Sequence, residues 1–147
     1  QLSIMKQIVS NKTLDTSIIA WFAAQFLKVL FVLIKDKKFD FSRFVGSGGM
    51  PSSHSSFVVA LSVSVGKICG FESSEFAISV VFAFIVMYDA AGVRRAAGKQ
   101  ARVLNKIVKE MQDTGKIPEE KLKELIGHTP VEVLGGALVG LIVAIVM

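Results

Sequence analysis

The sequence is poor in the residues that build cross-links, linkers and acid–base sites. Its 147 residues include one cysteine, three prolines and two histidines. A single cysteine excludes an internal disulfide bond and cannot form a zinc site by itself. Because Cys69 lies in an apolar stretch, we expect it to have an inert packing role. Three prolines are too few for a proline-rich linker, and the sequence has no internal repeat. Since the length also suits one domain, we predict a single domain over residues 1–147.

Charged residues are also scarce, at 20% of the chain, while hydrophobic residues reach 52% and the mean hydropathy is +0.56. Soluble domains usually have about 25% charged residues. The net charge of +5 is compatible with nucleic-acid binding, but the basic residues gather between apolar stretches, which is typical of membrane topology. We therefore expect a membrane protein with no nucleic-acid partner. Since it starts at Gln1 and stops inside an apolar run, we also expect its ends to be trimmed.

Four apolar stretches approach the 17–25 residues that a membrane span requires. They cover residues 16–34, 55–70, 76–91 and 130–147. This pattern predicts an all-α fold, a polytopic membrane helix bundle of about four spans. The spacings Gly66-x3-Gly70 and Gly136-x3-Gly140 allow close helix approach, either within the chain or in a homo-oligomer.

A segment of different character separates the third and fourth apolar stretches. Over residues 93–111, apolar side chains recur every three or four positions and basic side chains fill the remaining face. The pattern favours a basic amphipathic helix on the membrane surface, although a helix covering a soluble core has the same periodicity. A short helix is predicted at 118–126, and Gly127 would end it.

Basic residues are unevenly divided between the two ends of the predicted spans. With four spans, segments 35–53 and 92–129 share one side and hold most of the 17 lysines and arginines. The other side has Lys6 and Lys12, with Lys67 nearby. The positive-inside rule then places the first side in the cytoplasm, which predicts a multi-pass protein of the cell membrane.

Each of the two histidines lies at the mouth of an apolar helix, and no other side chain titrates near neutral pH. His54 follows a glycine-rich loop whose backbone amides and hydroxyls, together with the helix N-terminus, are suited to bind an anion. Ordinary N-capping by Pro-Ser-Ser is the alternative. The candidate anion-binding residues are Gly48, Gly49, Ser52 and Ser53.

The second histidine is followed by a carboxylate at helical spacing. On a continuous helix, His128 and Glu132 would share one face, where the carboxylate can hold the tautomer of the imidazole and support its positive charge. Alternatively, Thr129 is an N-cap with Pro130 at the first helical position, and Glu132 completes a capping box. Both roles of Glu132 stay open at this stage.

Three cationic side chains are candidates to meet a phosphate. Lys28 lies within the first apolar stretch, where a lysine is costly unless it has a function or snorkels to the interface. Arg94 and Arg95 follow the third stretch; their planar guanidinium groups suit phosphate oxygens, although arginines at a membrane edge also serve as topology anchors. Asp89 is a candidate to pair with or orient one of them.

These residues resemble the type 2 phosphatidic acid phosphatase and vanadium haloperoxidase superfamily, in particular its divergent bacterial branch of small integral membrane proteins. The family pattern is Lys-x6-Arg-Pro, Pro-Ser-Gly-His and Ser-Arg-x5-His-x3-Asp. Pro51-Ser52-Ser53-His54 is similar to the second element, with serine in place of glycine. Residues 127–140 are similar to the third element, with Glu132 in place of aspartate.

Other positions depart from that pattern. Lys28 matches the first-element lysine, but Lys35 and Asp36 stand where the family has arginine and proline. Leu122 occupies the position of the third-element arginine. The phosphate-binding cations of this chain are therefore not all assigned by the motifs.

The resemblance implies a membrane phosphatase that acts on a lipid phosphate or diphosphate and needs neither a metal nor another cofactor. It makes His128 the nucleophile that forms a phosphohistidine, Glu132 its orienting residue, and His54 the acid that protonates the leaving oxygen and later activates water.

Two other functions fit the same features. One is a non-catalytic protein that binds anionic lipids; the other is a transporter subunit, suggested by Lys28 and Asp89 in or beside the spans.

Overall fold

The protein forms six helices in a computed structural model that describes residues 3–36, 49–112 and 127–147. The helices are α1 (Ile4–Val9), α2 (Lys12–Asp36), α3 (Ser53–Cys69), α4 (Ser74–Ala91), α5 (Val93–Gln112) and α6 (Pro130–Val146). The described residues contain no strand, so the prediction of an all-α fold is confirmed. The short helix predicted at 118–126 and the candidate Gly48 lie outside the described residues.

The helix ends follow from local capping chemistry. Ser52, Ser73 and Thr129 are the N-caps of α3, α4 and α6, and each side chain accepts a hydrogen bond from a backbone N–H of the first turn. Consequently α3 and α4 each begin two residues earlier than hydropathy predicts. Helix α2 extends the first apolar stretch at both ends, and the short helix α1 was not predicted.

Helix α3 lies at the centre of the bundle and packs against α2, α4 and α6, while α2 also contacts α6. The central contacts are made by small side chains. Ala20, Ala60 and Ala144 form a buried cluster in which α2, α3 and α6 meet. Small side chains let helix backbones approach closely, which is the usual way that helices associate within a membrane.

Two glycines bring α6 against the start of α3. A Cβ added at Gly136 would overlap the carbonyl of Ser52, and one added at Gly140 would overlap the carbonyl of Ser56. The Gly136-x3-Gly140 spacing therefore serves a contact within the chain. Gly66 does not form an equivalent helix contact, because it faces Phe71 at the turn between α3 and α4.

The bundle has polar side chains inside and large apolar side chains outside. Gln25 and Lys28 are 2% and 0% exposed, whereas Phe26 beside them is 59% exposed. An apolar outer surface of this extent is unfavourable in water and is satisfied by lipid. Helix α2 and the helical stretch that starts at Ser74 are long and apolar enough to cross a membrane, and α3 and α6 are shorter apolar helices. The chain is a helical membrane bundle.

Cys69 does not pack inside this bundle. It is exposed in the last turn of α3, so the expectation of a packing role was wrong. Apolar sequence neighbours predicted burial, but in a bundle with an apolar exterior they surround outward-facing residues as well.

Helix α5 divides its surface into three arcs. Gly98 and Ala101 are buried toward the bundle, where α5 contacts α4. A second arc carries exposed lysines and arginines, and a third carries exposed apolar side chains such as Leu104 and Ile107. The predicted amphipathic helix is therefore present, and its apolar arc is not used in packing against the described bundle.

Candidate active site

The two imidazoles meet at one end of the bundle. His54 is in the first turn of α3 and His128 lies two residues before α6, and their ring centroids are 6.0 Å apart. The two helix starts are joined because the backbone N–H of Ser52 donates to the carbonyl of Glu132 at 2.9 Å. Since a hydrogen bond or attack distance is about 3 Å, both rings can reach one phosphate placed between them.

The backbone around His128 is held by the junction between α4 and α5. The His128 N–H donates to the Ala90 carbonyl at 2.9 Å. Gly127 lies directly against the backbone of Arg94 and Arg95, where a Cβ would overlap it. These contacts leave the His128 side chain 2% exposed. The position of this histidine therefore depends on three helices rather than on α6 alone.

Glu132 forms the capping box that its spacing suggested, and it also lies beside the His128 imidazole. Its Oε2 accepts a hydrogen bond from the Thr129 N–H at 2.8 Å, and its own N–H donates to Thr129 Oγ1 at 3.3 Å, which completes the capping box. The same Oε2 is 3.4 Å from Nδ1 of His128. An Nδ1–H directed at this carboxylate leaves the lone pair on Nε2, the arrangement that a nucleophilic imidazole requires.

Two buried imidazole nitrogens lack hydrogen-bond partners among the described residues: Nδ1 of His54 and Nε2 of His128. Buried polar atoms nearly always have a partner, and exceptions in folded proteins call for an explanation such as catalysis. Here the two exceptions belong to His54 and His128, the residues predicted to act as acid and nucleophile. Within the described part of the chain, these two nitrogens therefore have unused hydrogen-bonding capacity.

Burial lowers the pKa of His128 below its ordinary value. Glu132 opposes this effect through its charge and hydrogen bond, while the positive charges of Lys28 and Arg94 add to it. The pKa remains lowered on balance, which favours the neutral form of the His128 imidazole. A neutral ring keeps the Nε2 lone pair available for attack.

Lys28 contributes a positive charge from inside the bundle. It is fully buried, and its Nζ donates to Oε1 of Gln25 at 2.8 Å. Gly49, with φ 91°, lies over its stem, because a Cβ there would be 3.6 Å from Cγ of Lys28. The alternative that Lys28 snorkels to the interface is therefore wrong.

Of the two adjacent arginines Arg94 and Arg95, Arg94 is the one placed near the histidines. It lines the same cleft as His54, and its charge acts on both imidazoles. Its Nε is 2.8 Å from Oδ2 of Asp89, so Asp89 forms an ion pair with Arg94. The side chain of Arg95 is exposed, and its backbone packs on Gly127.

The two serines before His54 are buried at the start of α3. Ser52 is fully buried, and its Oγ accepts hydrogen bonds from the N–H and the hydroxyl of Ser55, at 3.4 and 3.1 Å. Ser53 is also buried, at 3% exposure. N-capping of α3 is thus an established role for Ser52. The backbone of Ser52 and Ser53 directly precedes His54 and therefore stays close to the imidazoles.

Gln25 belongs to the site, although the sequence analysis did not select it. It fixes the Nζ of Lys28 from one turn earlier on α2. The sequence does contain a pattern that indicates Gln25. Gln25 and Lys28 are two polar residues three positions apart in an apolar span, and residues at this spacing share one helix face. Among the described residues, no group of three or more His, Cys, Asp or Glu side chains is placed to hold a metal ion.

Replacing Glu132 with glutamine tests its electrostatic role. Glutamine at the third helical position still accepts the capping hydrogen bond, so Glu132→Gln removes the charge while retaining the cap. We expect the pKa of His128 to fall further, because the carboxylate that raises it is lost while burial, Lys28 and Arg94 remain. In a His54→Asn background, a titration by NMR follows His128 as the single histidine. An unchanged or higher pKa would contradict the proposed contact.

Comparison with known proteins places the chain in a family. Residues 9–143 match the Divergent PAP2 family, a match that includes both histidines and all of the described site. The chain belongs to the Divergent PAP2 family. This confirms the resemblance seen in the motifs. The "Uncharacterized membrane protein YuiD" of Bacillus subtilis is 44% identical to this Divergent PAP2 protein in an alignment of 152 positions that spans 96% of each chain. No solved structure matches the chain significantly.

Proposed function

We propose that this Divergent PAP2 protein hydrolyses a lipid phosphate or diphosphate through a phosphohistidine formed on His128. The observation that carries the proposal is the pair of imidazoles 6.0 Å apart, each with a buried nitrogen that has no partner among the described residues. A phosphate between the rings would meet a nucleophile on one side and an acid on the other. Ordinary helix capping does not explain this arrangement.

In the first step, the lone pair on Nε2 of His128 attacks phosphorus. The bond between phosphorus and the oxygen of the leaving lipid alcohol breaks, and protonated His54 gives its proton to that oxygen. Glu132 holds the Nδ1–H and stabilises the positive charge that develops on the His128 ring. The products of this step are the free lipid alcohol and phosphohistidine 128.

In the second step, neutral His54 takes a proton from a water molecule as that water attacks phosphorus. The phosphorus–nitrogen bond breaks, inorganic phosphate leaves, and the electron pair returns to Nε2 of His128. His54 is again protonated, so the proton balance closes over the cycle. For a diphosphate, the leaving group of the first step is a lipid monophosphate.

Lys28 and Arg94 supply the positive charge that such a transfer requires. Fixed cations in a site shielded from water stabilise charge on the phosphoryl oxygens better than the same groups in water. Lys28 is anchored by Gln25 and Arg94 by Asp89. We propose that Arg94 takes the place of an arginine missing from the motif pattern. The backbone at Gly49 and the N-terminus of α3 add hydrogen-bond donors.

A direct assay separates this function from its main rival, non-catalytic binding of anionic lipid. The purified protein is incubated with a lipid monophosphate labelled in its phosphate, and the reaction is stopped without acid. We expect released inorganic phosphate and a labelled protein whose phosphate is on His128. Binding of the lipid with neither release nor labelling would favour the rival function.

We further propose that four helices, α2, α3, α4 and α6, cross the membrane and that the site faces the cytoplasm. The basic arc of α5, with Lys99, Arg102, Lys106 and Lys109, supports this orientation because cationic segments are retained on the cytoplasmic side. With its exposed apolar arc in the lipid boundary, α5 would lie along the inner membrane surface. There it would hold Arg94 at the level of lipid phosphates.

Cysteine labelling tests the orientation. In a Cys69→Ser background, Glu72→Cys places a thiol on the exposed turn between α3 and α4, and Lys99→Cys places one on the exposed arc of α5. A membrane-impermeant maleimide should label the Glu72→Cys protein in intact cells. It should label the Lys99→Cys protein only after the cells are permeabilised. The opposite pattern, or equal labelling of both in intact cells, would contradict the orientation.

A further inference from the structure

An apolar cleft of about 370 Å³ adjoins the imidazoles, and His54 and Arg94 form its polar end. Its other lining residues come from α2, α3 and α4: Trp21, Phe57, Val58, Phe82 and Val86. Helices α2 and α4 both pack on α3, and the cleft lies between them. The proposed mechanism uses the polar end of this cleft and gives no role to its apolar remainder.

The cleft runs from the site into the hydrophobic thickness of the bundle. Phe57 and Val58 follow His54 on α3 by about 5 Å of helix rise, and Phe82 lies about 12 Å along α4 from Ala90, whose carbonyl binds the His128 backbone. Val58 is 3% exposed and Phe82 is 48% exposed. The cleft therefore has a closed floor on α3 and an apolar rim that faces lipid.

We propose that this cleft binds the hydrocarbon of a single-chain lipid phosphate, which enters sideways from the bilayer between α2 and α4. Hydrolysis of the phosphate of this lipid rests on the proposed function, whereas binding of the lipid in the cleft does not. Arg94, together with the charge of Lys28 that acts on both imidazoles, complements an anionic headgroup. The aromatic and aliphatic lining complements the chain. The polar and apolar ends are continuous, as one amphiphile requires.

The dimensions favour one chain over two. The volume is near the lower limit of ordinary ligand pockets, about 300–1,000 Å³. A neighbouring cleft beside Tyr88 and Asp89 reaches neither imidazole, so it does not offer a second chain a path from the same phosphate. We therefore expect a prenyl or monoacyl phosphate to bind better than a diacyl phosphate.

Photo-crosslinking tests the binding without requiring turnover. The full-length chain in phosphatidylcholine vesicles is irradiated with a non-hydrolysable single-chain lipid phosphonate that carries a diazirine in its chain. We expect labelled peptides to contain Trp21, Phe57 or Phe82, and an unlabelled single-chain phosphonate to compete better than a diacyl one. Labels spread over the outer faces of α4 and α6, or equal competition by the diacyl lipid, would overturn the proposal.

A pair of variants on α4 supplies the matched control. Val86→Trp narrows the cleft, whereas Val81→Trp adds the same bulk on the outer face, where Val81 is 58% exposed. Val86→Trp should reduce crosslinking and raise the KM for a long-chain substrate about tenfold, the effect of removing roughly two methylene groups from apolar contact. Val81→Trp should leave both the crosslinking and this KM unchanged. Equal effects of the two variants would contradict a chain site in the cleft.

The two proposals can fail separately. Crosslinks confined to the cleft in a protein that releases no phosphate would leave the lipid site in place and refute the phosphatase. Phosphate release that is indifferent to Val86→Trp, with crosslinks elsewhere, would refute the chain site and leave the phosphatase standing.

Discussion

His128→Ala should reduce phosphate release from a lipid phosphate by about 10³-fold or more, because it removes the atom that attacks phosphorus. The loss is expected in kcat rather than in substrate binding. Lys28 is hydrogen-bonded to Gln25 and Arg94 is paired with Asp89, so we expect both cations and the apolar cleft to remain. Initial-rate kinetics together with binding of a lipid phosphonate measures the two effects separately.

The same variant should form no phosphoenzyme. His128 is nearly fully buried, so the variant is first checked for an unchanged helix content and elution volume. A correctly folded His128→Ala protein that binds the phosphonate and releases no phosphate identifies a catalytic group. A protein that retains its activity would remove His128 from the mechanism.

His54→Gln should show a different signature, which depends on the leaving group. With a lipid phosphate, whose alkoxide leaving group needs a proton, we expect the rate to fall by about 10²–10⁴-fold. With an aryl phosphate, whose phenolate leaves without help, the first step should continue. Water activation would still be impaired, so phosphohistidine should accumulate, and a burst of one phenolate per protein should precede slow turnover.

This burst separates the two histidines by role. His128→Ala should give no burst with either substrate, and the wild-type protein should turn over both. Rapid-mixing absorbance measurements record the burst, and acid-free trapping records the phosphoenzyme. An equal decrease on both substrates without accumulation of phosphohistidine would show that His54 is not the proton donor and acceptor.

The cations proposed for the site differ from those of the family pattern. Lys35, Asp36 and Leu122 stand at positions where the family pattern has arginine or proline. The structure brings Arg94 to the imidazoles instead, from the start of α5, with Asp89 as its partner. Arg94 follows a break in the helix at Gly92, so its position depends on how α5 leaves α4. No spacing in the sequence specifies that direction.

Hydropathy and capping predicted most of the secondary structure. The stretch 130–147 became α6 at Pro130–Val146, and the amphipathic segment 93–111 became α5 at Val93–Gln112. Thr129, Pro130 and Glu132 formed the capping box that their order suggests. These features depend on neighbours within one turn of the same helix, and local sequence is sufficient to specify them. The pairing of Ser52 with Glu132 and the outward position of Cys69 depend on contacts between helices and were not predictable in this way.

The amino-acid pattern alone is sufficient to predict a helical membrane protein with two histidines at helix starts and a carboxylate one turn after the second. The packing of the helices, in contrast, brings the two imidazoles together, turns Lys28 inward, and places Arg94 rather than Arg95 beside them. The physical reason is that periodicity specifies which side chains share a face of one helix. It does not specify how that face is turned toward the next helix. In this bundle, that rotation is set by close packing, with Gly136 and Gly140 lying against the backbone of α3.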